Sequence, residues 1–325
     1  MKRTVWALAL TVIMISGLAF VAIGQAPAPG QAPGGPGGPG AAGVRGGGPG
    51  AGAPAGAGRG AVVAGPPQPV PPAVAIARPT AVEVEQMNAE LTRMINANNS
   101  PAKALLTRYK ALTVVSVPRD NSAIRPVPRN AAKHDSYVEL AKKGDIDLLL
   151  VGDSITDLWR NSTETYATYF GKYKVGNFAI SGDTTQGVLW GLQNGEGVGF
   201  QPKAIMMMIG TNNSGGNTGP EIAEGNGAIV LELRKDFPNA KILLLAIFPR
   251  NAPNSAARKV NAEASTIFSK LADNKNIFYM DIGEKFLSPD GTISTEIMAD
   301  GLHPTAKGYV IWGDAIKDKL AELMK

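Results

Sequence analysis

Residues 146–156 read IDLLLVGDSIT, an apolar run that ends in Gly, Asp and Ser before a helix-like stretch begins. Four more short apolar runs follow, and the stretches between them are long enough for helices. The five runs are residues 146–151, 174–179, 204–209, 242–247 and 277–280. Strands this uniformly apolar are buried on both faces. The pattern therefore predicts a three-layer α/β/α fold with a five-stranded parallel sheet.

Ser154, at the end of the quoted stretch, is a candidate nucleophile. In parallel sheets, functional groups gather at the carboxyl ends of the strands. The N-terminus of the helix expected after Ser154 would stabilise negative charge and offer free backbone N–H groups. A serine in this position can also serve only as a helix N-cap, and the stretch does not match the Gly-x-Ser-x-Gly turn of the α/β-hydrolases.

Two further turns are expected at the same edge of the sheet. Ser181-Gly182-Asp183 follows the second strand, and Gly210-Thr211-Asn212-Asn213 follows the third. The N–H groups of Ser154 and Gly182, with the side-chain amide of Asn212, would supply three donors for the oxyanion of a tetrahedral intermediate. Ordinary turn chemistry explains each loop equally well when that loop is taken alone.

The remaining candidate residues lie near the C-terminus, in Asp300-Gly301-Leu302-His303-Pro304. An Asp three residues before a His can turn back to bond one ring nitrogen and leave the other for a serine. Asp300 could instead only shape the turn, with His303 beginning the last helix. The other histidine of the chain, His134, has no acid or serine motif beside it, so we expect it to be structural.

The four blocks together resemble the GDSL family, also called SGNH hydrolases. More narrowly, residues 177–185, NFAISGDTT, with Val188-Leu189-Trp190 and then GTNN at 210–213, are similar to the catalytic subunits of platelet-activating-factor acetylhydrolase. The resemblance covers roughly Lys133 to the C-terminus and implies the flavodoxin-like fold of that family. Ile155 stands where the family usually has Leu, which changes a packing residue only.

By this resemblance Ser154 is the nucleophile, His303 the general base and Asp300 its partner, while Gly182 and Asn212 donate to the oxyanion. The resemblance implies a cofactor-independent serine esterase for short acyl groups such as acetyl, acting on a small-molecule or polysaccharide ester. A lipase or phospholipid acetylhydrolase is the alternative within the class. A non-catalytic glycan-binding module, or a membrane-tethered scaffold working through residues 25–130, is the alternative outside it.

Composition excludes several other classes of protein. The chain has no cysteine, which excludes disulfides, a thiolate nucleophile and thiolate-bound zinc. The formal net charge of +5 lies wholly within residues 1–80, and the rest of the chain balances 27 basic against 27 acidic residues. A folded part without net charge argues against nucleic acid as a partner. Asp153 and Asp157 lack metal-ligand spacing to other acids or histidines, so no metal is implied.

The N-terminal region predicts export. Lys2 and Arg3, an apolar run at 5–23 and small residues before Gln25 indicate a signal peptide or an uncleaved signal anchor at residues 1–24. The protein would be secreted or periplasmic, or held at a membrane with its catalytic domain outside the cytoplasm. The pattern gives no oligomeric state.

Residues 25–79 are rich in Gly, Pro and Ala and predict a disordered linker that packs against nothing. A helical extension is expected at 80–130. It starts with a capping box formed by Thr80 and Glu83, has a second helix at 101–112, and ends in a proline-rich connector. The hydrolase domain would then comprise residues 131–325, with a short first helix at 132–143.

Overall fold

The computed structural model describes residues 63–116 and 120–325. The predictions for the signal segment, residues 1–24, and for residues 25–62 of the linker lie outside the described residues.

Five parallel strands form one sheet in the described part of the chain. They are β1 (Leu148–Gly152), β2 (Val175–Asn177), β3 (Ala204–Met208), β4 (Lys241–Leu245) and β5 (Ile277–Met280). Their order across the sheet is β2-β1-β3-β4-β5. Gly152 at the end of β1 lies opposite Met208 of β3, and Leu150 lies opposite Asn177 of β2. The carboxyl ends of these three strands therefore meet at one edge.

Helices occupy the connections between the strands, precede β1 and follow β5. They are α1 (Ala81–Ala97), α2 (Ala102–Arg108), α3 (Ala131–Lys142), α4 (Ser154–Asp157), α5 (Thr163–Phe170), α6 (Thr185–Gly191), α7 (Gly219–Asp236), α8 (Ala256–Phe268) and α9 (Ala306–Leu323). None of the helices in residues 63–116 and 120–325 is long and apolar enough to span a membrane.

The core lies on both faces of the sheet, as β1 illustrates. Leu149 and Val151 pack into one apolar cluster with residues of α3, α6, α7 and α8. Leu148 and Leu150 point the other way, into a second cluster with residues of α4, α5 and α9. Successive side chains of one strand thus point to opposite faces of the sheet and pack into two buried layers. The predicted three-layer α/β/α fold with a five-stranded parallel sheet is confirmed.

The helical extension begins as its sequence indicates. The Thr80 hydroxyl accepts from the N–H of Glu83, and the Glu83 carboxylate accepts from the N–H of Thr80. The second helix is shorter than predicted, because Tyr109 leaves the helical region at φ −105° and ψ 44°. A 3₁₀ turn at Lys110–Thr113 continues the chain.

The prediction that residues 25–79 pack against nothing is wrong for residues 63–79, which we call the strap. Gly65 donates to the carbonyl of Pro126 at 2.7 Å, and Gln68 donates to that of Ile124 at 2.9 Å. Val74 is 4% exposed and belongs to the apolar core. It fits over Gly227 of α7, where a Cβ would lie 2.7 Å from its side chain. The strap is thus a packed part of the fold.

A buried carboxylate on α7 fixes the end of the strap. Glu224 is fully buried, accepts from the N–H of Ile76 at 2.8 Å and binds both terminal nitrogens of Arg78, at 2.7 and 2.5 Å. Asn121 donates to the same carboxylate at 2.8 Å. A bidentate, charge-assisted pair of this kind is strong. The composition of the strap suggested disorder because it offers few large apolar side chains. Its six prolines, however, reduce the entropy that is lost when the strap becomes ordered.

Candidate active site

Ser154 lies where β1 turns into α4. Gly152 closes the strand, and a Cβ there would lie only 2.7 Å from the carbonyl oxygen of Met208. The Asp153 carboxylate accepts from the N–H of Ile155 at 3.0 Å and caps the first turn of α4. Ser154 itself is 7% exposed. The local sequence therefore presents one hydroxyl at the start of a helix, at the carboxyl edge of the sheet.

Asp300 and His303 lie on one turn before α9. One Asp300 oxygen accepts from the N–H groups of Leu302 at 3.0 Å and His303 at 2.8 Å. The other oxygen lies 2.6 Å from Nδ1 of the His303 ring. Gly301 has φ +70°, a left-handed conformation that glycine adopts without strain. The acid and the imidazole are therefore aligned by their own short stretch of chain.

The structure brings Ser154 into contact with this pair. Nε2 of His303 lies 2.8 Å from Oγ of Ser154, although 149 residues separate the two in sequence. With the Nδ1 proton directed at Asp300, Nε2 is free to accept the serine proton. This is the arrangement of a Ser-His-Asp triad.

The electrostatics of the turn keep Asp300 ionised. Partial burial raises the pKa of its carboxyl group, but hydrogen bonds from the His303 N–H, the His303 ring and the Leu302 N–H lower the pKa further, to about 2. The carboxylate is 55% exposed, so solvent also screens it. It therefore carries a negative charge through the neutral pH range and can stabilise a protonated His303 ring.

Gly182 lies on a turn that is fixed beside Ser154. The turn begins where the N–H of Ile180 donates to the carbonyl of Gly152 at 3.3 Å, and the N–H of Asp183 closes it on the Ile180 carbonyl at 3.0 Å. Gly182 has φ +82°, and a Cβ at this position would meet no atom within 4 Å. The turn therefore needs glycine for its conformation, and its outer side is open.

Asn212 follows β3 and contacts the same turn. Its Nδ2 donates to the carbonyl oxygen of Asp183 at 2.8 Å. The amide has a second N–H, which this bond does not use. The oxyanion and the loop-holding interpretations of Asn212 are therefore compatible, because one side chain can serve both. The catalytic roles of Ser154, Asp300, His303, Gly182 and Asn212 stay predictions.

Arg129 was not identified from the sequence, where it ends a proline-rich connector. Its side chain is 2% exposed, lies 2.5 Å from an Asp183 oxygen and 2.6 Å from a Glu196 oxygen, and donates to the carbonyl of Phe178 at 3.0 Å. Burial raises the pKa of both carboxyl groups, and the Arg129 charge opposes that shift. Arg129 thereby holds the acid next to Gly182. Nothing local in the sequence indicates these long-range partners.

His134 lies in a separate cluster. Its Nδ1 is 2.7 Å from a Glu196 oxygen, and its ring meets the edge of Trp190 with centroids 4.6 Å apart. The premise that no acid accompanies His134 is wrong, because Glu196 reaches it from 62 residues further along the chain. These contacts join α3 to the end of α6 and fit the structural role expected for His134.

Two acids flank Ser154 without forming a metal site. Asp153 is buried, and this burial raises the pKa of its carboxyl group to about 7. Asp157 accepts from the N–H of Ser181 at 3.3 Å and from its hydroxyl at 2.9 Å. In residues 63–116 and 120–325, no group of three or more His, Asp or Glu side chains could hold a metal ion.

Comparison with known proteins places this geometry in a family. The sequence profile of the GDSL-like lipase/acylhydrolase family matches residues 150–311. Platelet-activating factor acetylhydrolase IB subunit alpha2 of Gallus gallus is 36% identical over 195 residues, which are 60% of this chain and 84% of the relative. Subunit alpha1 of Bos taurus is 31% identical over 214 residues, 63% of this chain and 91% of that one.

A solved structure from Streptococcus pneumonia, described as a platelet activating factor, shares the fold. Its TM-score is 0.50 at 23% sequence identity, covering 58% of this chain and 91% of that chain. The matched family region contains the end of β1, Ser154 and the turn that carries Asp300 and His303. The chain belongs to the GDSL-like lipase/acylhydrolase family.

Proposed function

We propose that the protein hydrolyses carboxylic esters of short acyl groups, chiefly acetyl, through an acyl-serine intermediate. One observation carries the proposal. Ser154 Oγ lies 2.8 Å from His303 Nε2, and Asp300 lies 2.6 Å from the other ring nitrogen. A hydroxyl that contacts an oriented imidazole is an activated nucleophile.

Acylation begins when Ser154 Oγ attacks the ester carbonyl carbon and its proton passes to Nε2 of His303. The positive charge on the ring then faces the ionised Asp300. The oxyanion accepts hydrogen bonds from the N–H groups of Ser154 and Gly182 and from the Asn212 amide. When the intermediate collapses, the bond to the alcohol oxygen breaks, and the alcohol leaves with the proton from His303.

Deacylation repeats the sequence with water. His303 takes one proton from a water molecule as its oxygen attacks the acyl carbon, and the same donors stabilise the second oxyanion. The bond to Ser154 Oγ then breaks, and the serine recovers its proton from His303. The products are a carboxylic acid and the free enzyme, and no cofactor takes part.

The surface around the triad supports a polar acyl acceptor such as a carbohydrate. None of the large apolar side chains exposed in residues 63–116 and 120–325 belongs to the loops 180–184, 210–217, 249–254 or 300–304. An enzyme that works at a lipid surface usually presents an apolar patch there. The open side of Gly182 also leaves room for a bulky acceptor.

A phospholipid acetylhydrolase is the second candidate function. The observation in its favour is the name of the relatives, which are subunits of platelet-activating factor acetylhydrolase at 36% and 31% identity. Both candidates use the same short acyl group and differ in the alcohol that leaves.

The proposal includes export. Its support is the sequence pattern of residues 1–24, with Lys2 and Arg3 ahead of the apolar run at 5–23. Detection of the processed protein outside the cytoplasm would test it, and an unprocessed chain in the cytoplasmic fraction would contradict it.

Substitution Ser154→Ala tests the esterase proposal. We expect kcat for a short p-nitrophenyl ester to fall by roughly 10⁴-fold or more, since the nucleophile is lost. Labelling by a fluorophosphonate probe should disappear as well. The control is Ser136→Ala, which should keep both properties. Ser136 is an exposed serine on α3 whose hydroxyl donates to the Lys133 carbonyl. A wild-type protein that is neither labelled nor active would instead support the binding-module alternative.

The acyl acceptor is tested by comparing wild-type kcat/KM on acetylated oligosaccharides with kcat/KM on an acetyl phospholipid. A higher value on the oligosaccharides is expected. A higher value on the phospholipid would favour the second candidate.

A further inference from the structure

The two loops that carry the proposed oxyanion donors are tied together by the residue after Asn212. The Asn213 side chain is buried, and its Oδ1 accepts from the N–H of Thr185 at 3.1 Å. Its Nδ2 lies 3.1 Å from the Thr185 hydroxyl and 2.8 Å from the Gln186 side-chain oxygen. Asn213 thus joins the loop after β3 to the start of α6, directly beyond the Gly182 turn.

Residues far upstream close this network. The Thr185 hydroxyl, fully buried, lies 2.8 Å from the carbonyl oxygen of Ala123. Asn217, which lies 3.2 Å from Asn213 Nδ2, donates to the hydroxyl of Ser122 at 3.0 Å. Both upstream contacts come from a 3₁₀ turn at Ser122–Ile124, which precedes the region matched by the family profile at 150–311.

The Gly182 turn has its own attachments to the sheet. Ile180 bonds to the end of β1, and Arg129 holds Asp183. The Asn212 loop begins at Gly210, which has φ +131°, and side chains hold it on both sides of Asn212: Arg250 and Asn261 bond to Thr211, and Asn213 makes the contacts described above. A donor to an oxyanion acts well only when it lies within a few tenths of an ångström of its working position.

We propose that Asn213 and Thr185 are positioning residues that hold the Asn212 amide in register with the Gly182 turn. The 3₁₀ turn at Ser122–Ile124 then belongs to the working site although it touches no reacting atom. This inference rests on the proposed esterase function and deepens it, because it names the groups that set the geometry of the oxyanion donors.

A matched pair of substitutions at one buried site tests the proposal in the full chain. Thr185→Val keeps the shape of the side chain and removes the hydroxyl, whereas Thr185→Ser keeps the hydroxyl and removes a methyl group. We expect Thr185→Val to lower kcat by about tenfold with KM changed less than about twofold. Thr185→Ser should keep kcat within about threefold of wild type, because the hydroxyl still meets Ala123 and Asn213.

A double-substitution cycle separates positioning from general support of the fold. If Thr185 acts through Asn212, then Thr185→Val should cost less than about threefold in kcat when Asn212→Ala is already present. Gln186→Ala removes the shortest contact of the Asn213 amide at a half-buried site. It serves as a second variant should Thr185→Val fail to fold, with an expected loss of about threefold that also disappears beside Asn212→Ala.

Two results would overturn the inference. One is equal kcat for Thr185→Val, Thr185→Ser, Gln186→Ala and wild type, and the other is a loss that persists undiminished in the Asn212→Ala background. Failure of the proposed function is distinguishable, because it would appear either as a wild-type protein without esterase activity or as hydrolysis that survives Ser154→Ala. Hydrolysis that depends on Ser154 but ignores the Thr185 hydroxyl would reject the positioning role alone.

Discussion

The strap and helix α1 are neighbours in the chain, but each is buried to a different extent than its sequence suggests. The strap is rich in Pro and Ala, but Val74 is buried in the core and Arg78 pairs with Glu224. Helix α1 has apolar residues at helical spacing and a complete capping box, but it buries only Val84. The periodicity of apolar residues therefore predicts whether a helix forms. Whether the segment packs against the fold depends on the contacts that the rest of the protein offers it.

The strap finds partners that were already fixed by the fold. Glu224 and Gly227 lie on α7, whose position is set by the sheet, so ordering the strap adds contacts without rearranging the core. The buried Val74, the bidentate ion pair and backbone hydrogen bonds from the strap then hold 17 residues in which proline restricts the unfolded chain.

The largest effect is expected from removing the carboxylate that holds the strap. Glu224→Ala leaves Arg78, Asn121 and the Ile76 N–H without their buried acceptor, and the free energy of unfolding should fall by about 3 kcal/mol. The matched change on α1 is Glu90→Ala, which breaks an exposed pair with Arg93 that solvent screens, so its effect on the free energy of unfolding should be much smaller. Urea unfolding measures both, and equal losses would break the comparison.

A second pair of substitutions compares one valine in each segment. Val74→Ala removes two buried methyl groups over Gly227 and should lower the free energy of unfolding by about 2 kcal/mol. Val82→Ala on α1, where the side chain is 62% exposed, should change it by less than about 0.5 kcal/mol. Thermal unfolding would contradict the strap's role if Val74→Ala proved as harmless as Val82→Ala.

The smallest effect concerns pH. Burial raises the pKa of Glu224, but the bonds from Arg78, the Ile76 N–H and Asn121 lower it more, so the net pKa lies below its ordinary 4.5. Because the folded value is depressed, the contact stabilises the strap above pH 4.5, and that stabilisation is lost as pH falls through the folded pKa. We expect the Ile76 amide to lose hydrogen-exchange protection on acidification while amides in the middle of α1 do not.

The control for the pH prediction is Glu224→Gln, which keeps the shape of the side chain and cannot ionise. In that variant the protection of the Ile76 amide should no longer depend on pH in the acidic range. An unchanged acid response in Glu224→Gln would show that another group controls the strap.

The sheet could be predicted because its strands carry their own signal. Residues such as Leu148 to Leu150 are apolar on both faces, and each of the five strands lies within two residues of its predicted ends. The strap could not be predicted, because the contact that orders it joins residues 146 positions apart. A polar pair such as Arg78 and Glu224 leaves no periodic pattern in the sequence. The composition of the strap also contains no information about Glu224, its partner on α7.

The candidate site shows the same division. Ser154, Asp300 and His303 could be assigned because their motifs together resemble those of the GDSL family. The three-residue spacing of Asp300 and His303 also brings the acid and the ring together in one turn. Arg129 and Thr185 could not be assigned, since their partners come from other elements. Asn213 stood in the quoted motif, but its neighbour Asn212 alone received a role, because the sequence does not distinguish an amide that faces a substrate from one that faces the protein.

The turn from Asp300 to His303 has a consequence for how the centre assembles. Asp300 and His303 lie within four residues of each other and contact through their own turn. Only one contact among the three residues, from His303 Nε2 to Ser154 Oγ, joins distant parts of the chain. The Tyr309 hydroxyl, on α9, donates to the Ile155 carbonyl at 2.8 Å and so bonds the last helix to the residue that follows Ser154. Under the proposed function, detachment of the last helix would separate His303 from Ser154 and abolish turnover while the imidazole and its carboxylate stayed paired, so hydrolysis would report on attachment of the C-terminal segment.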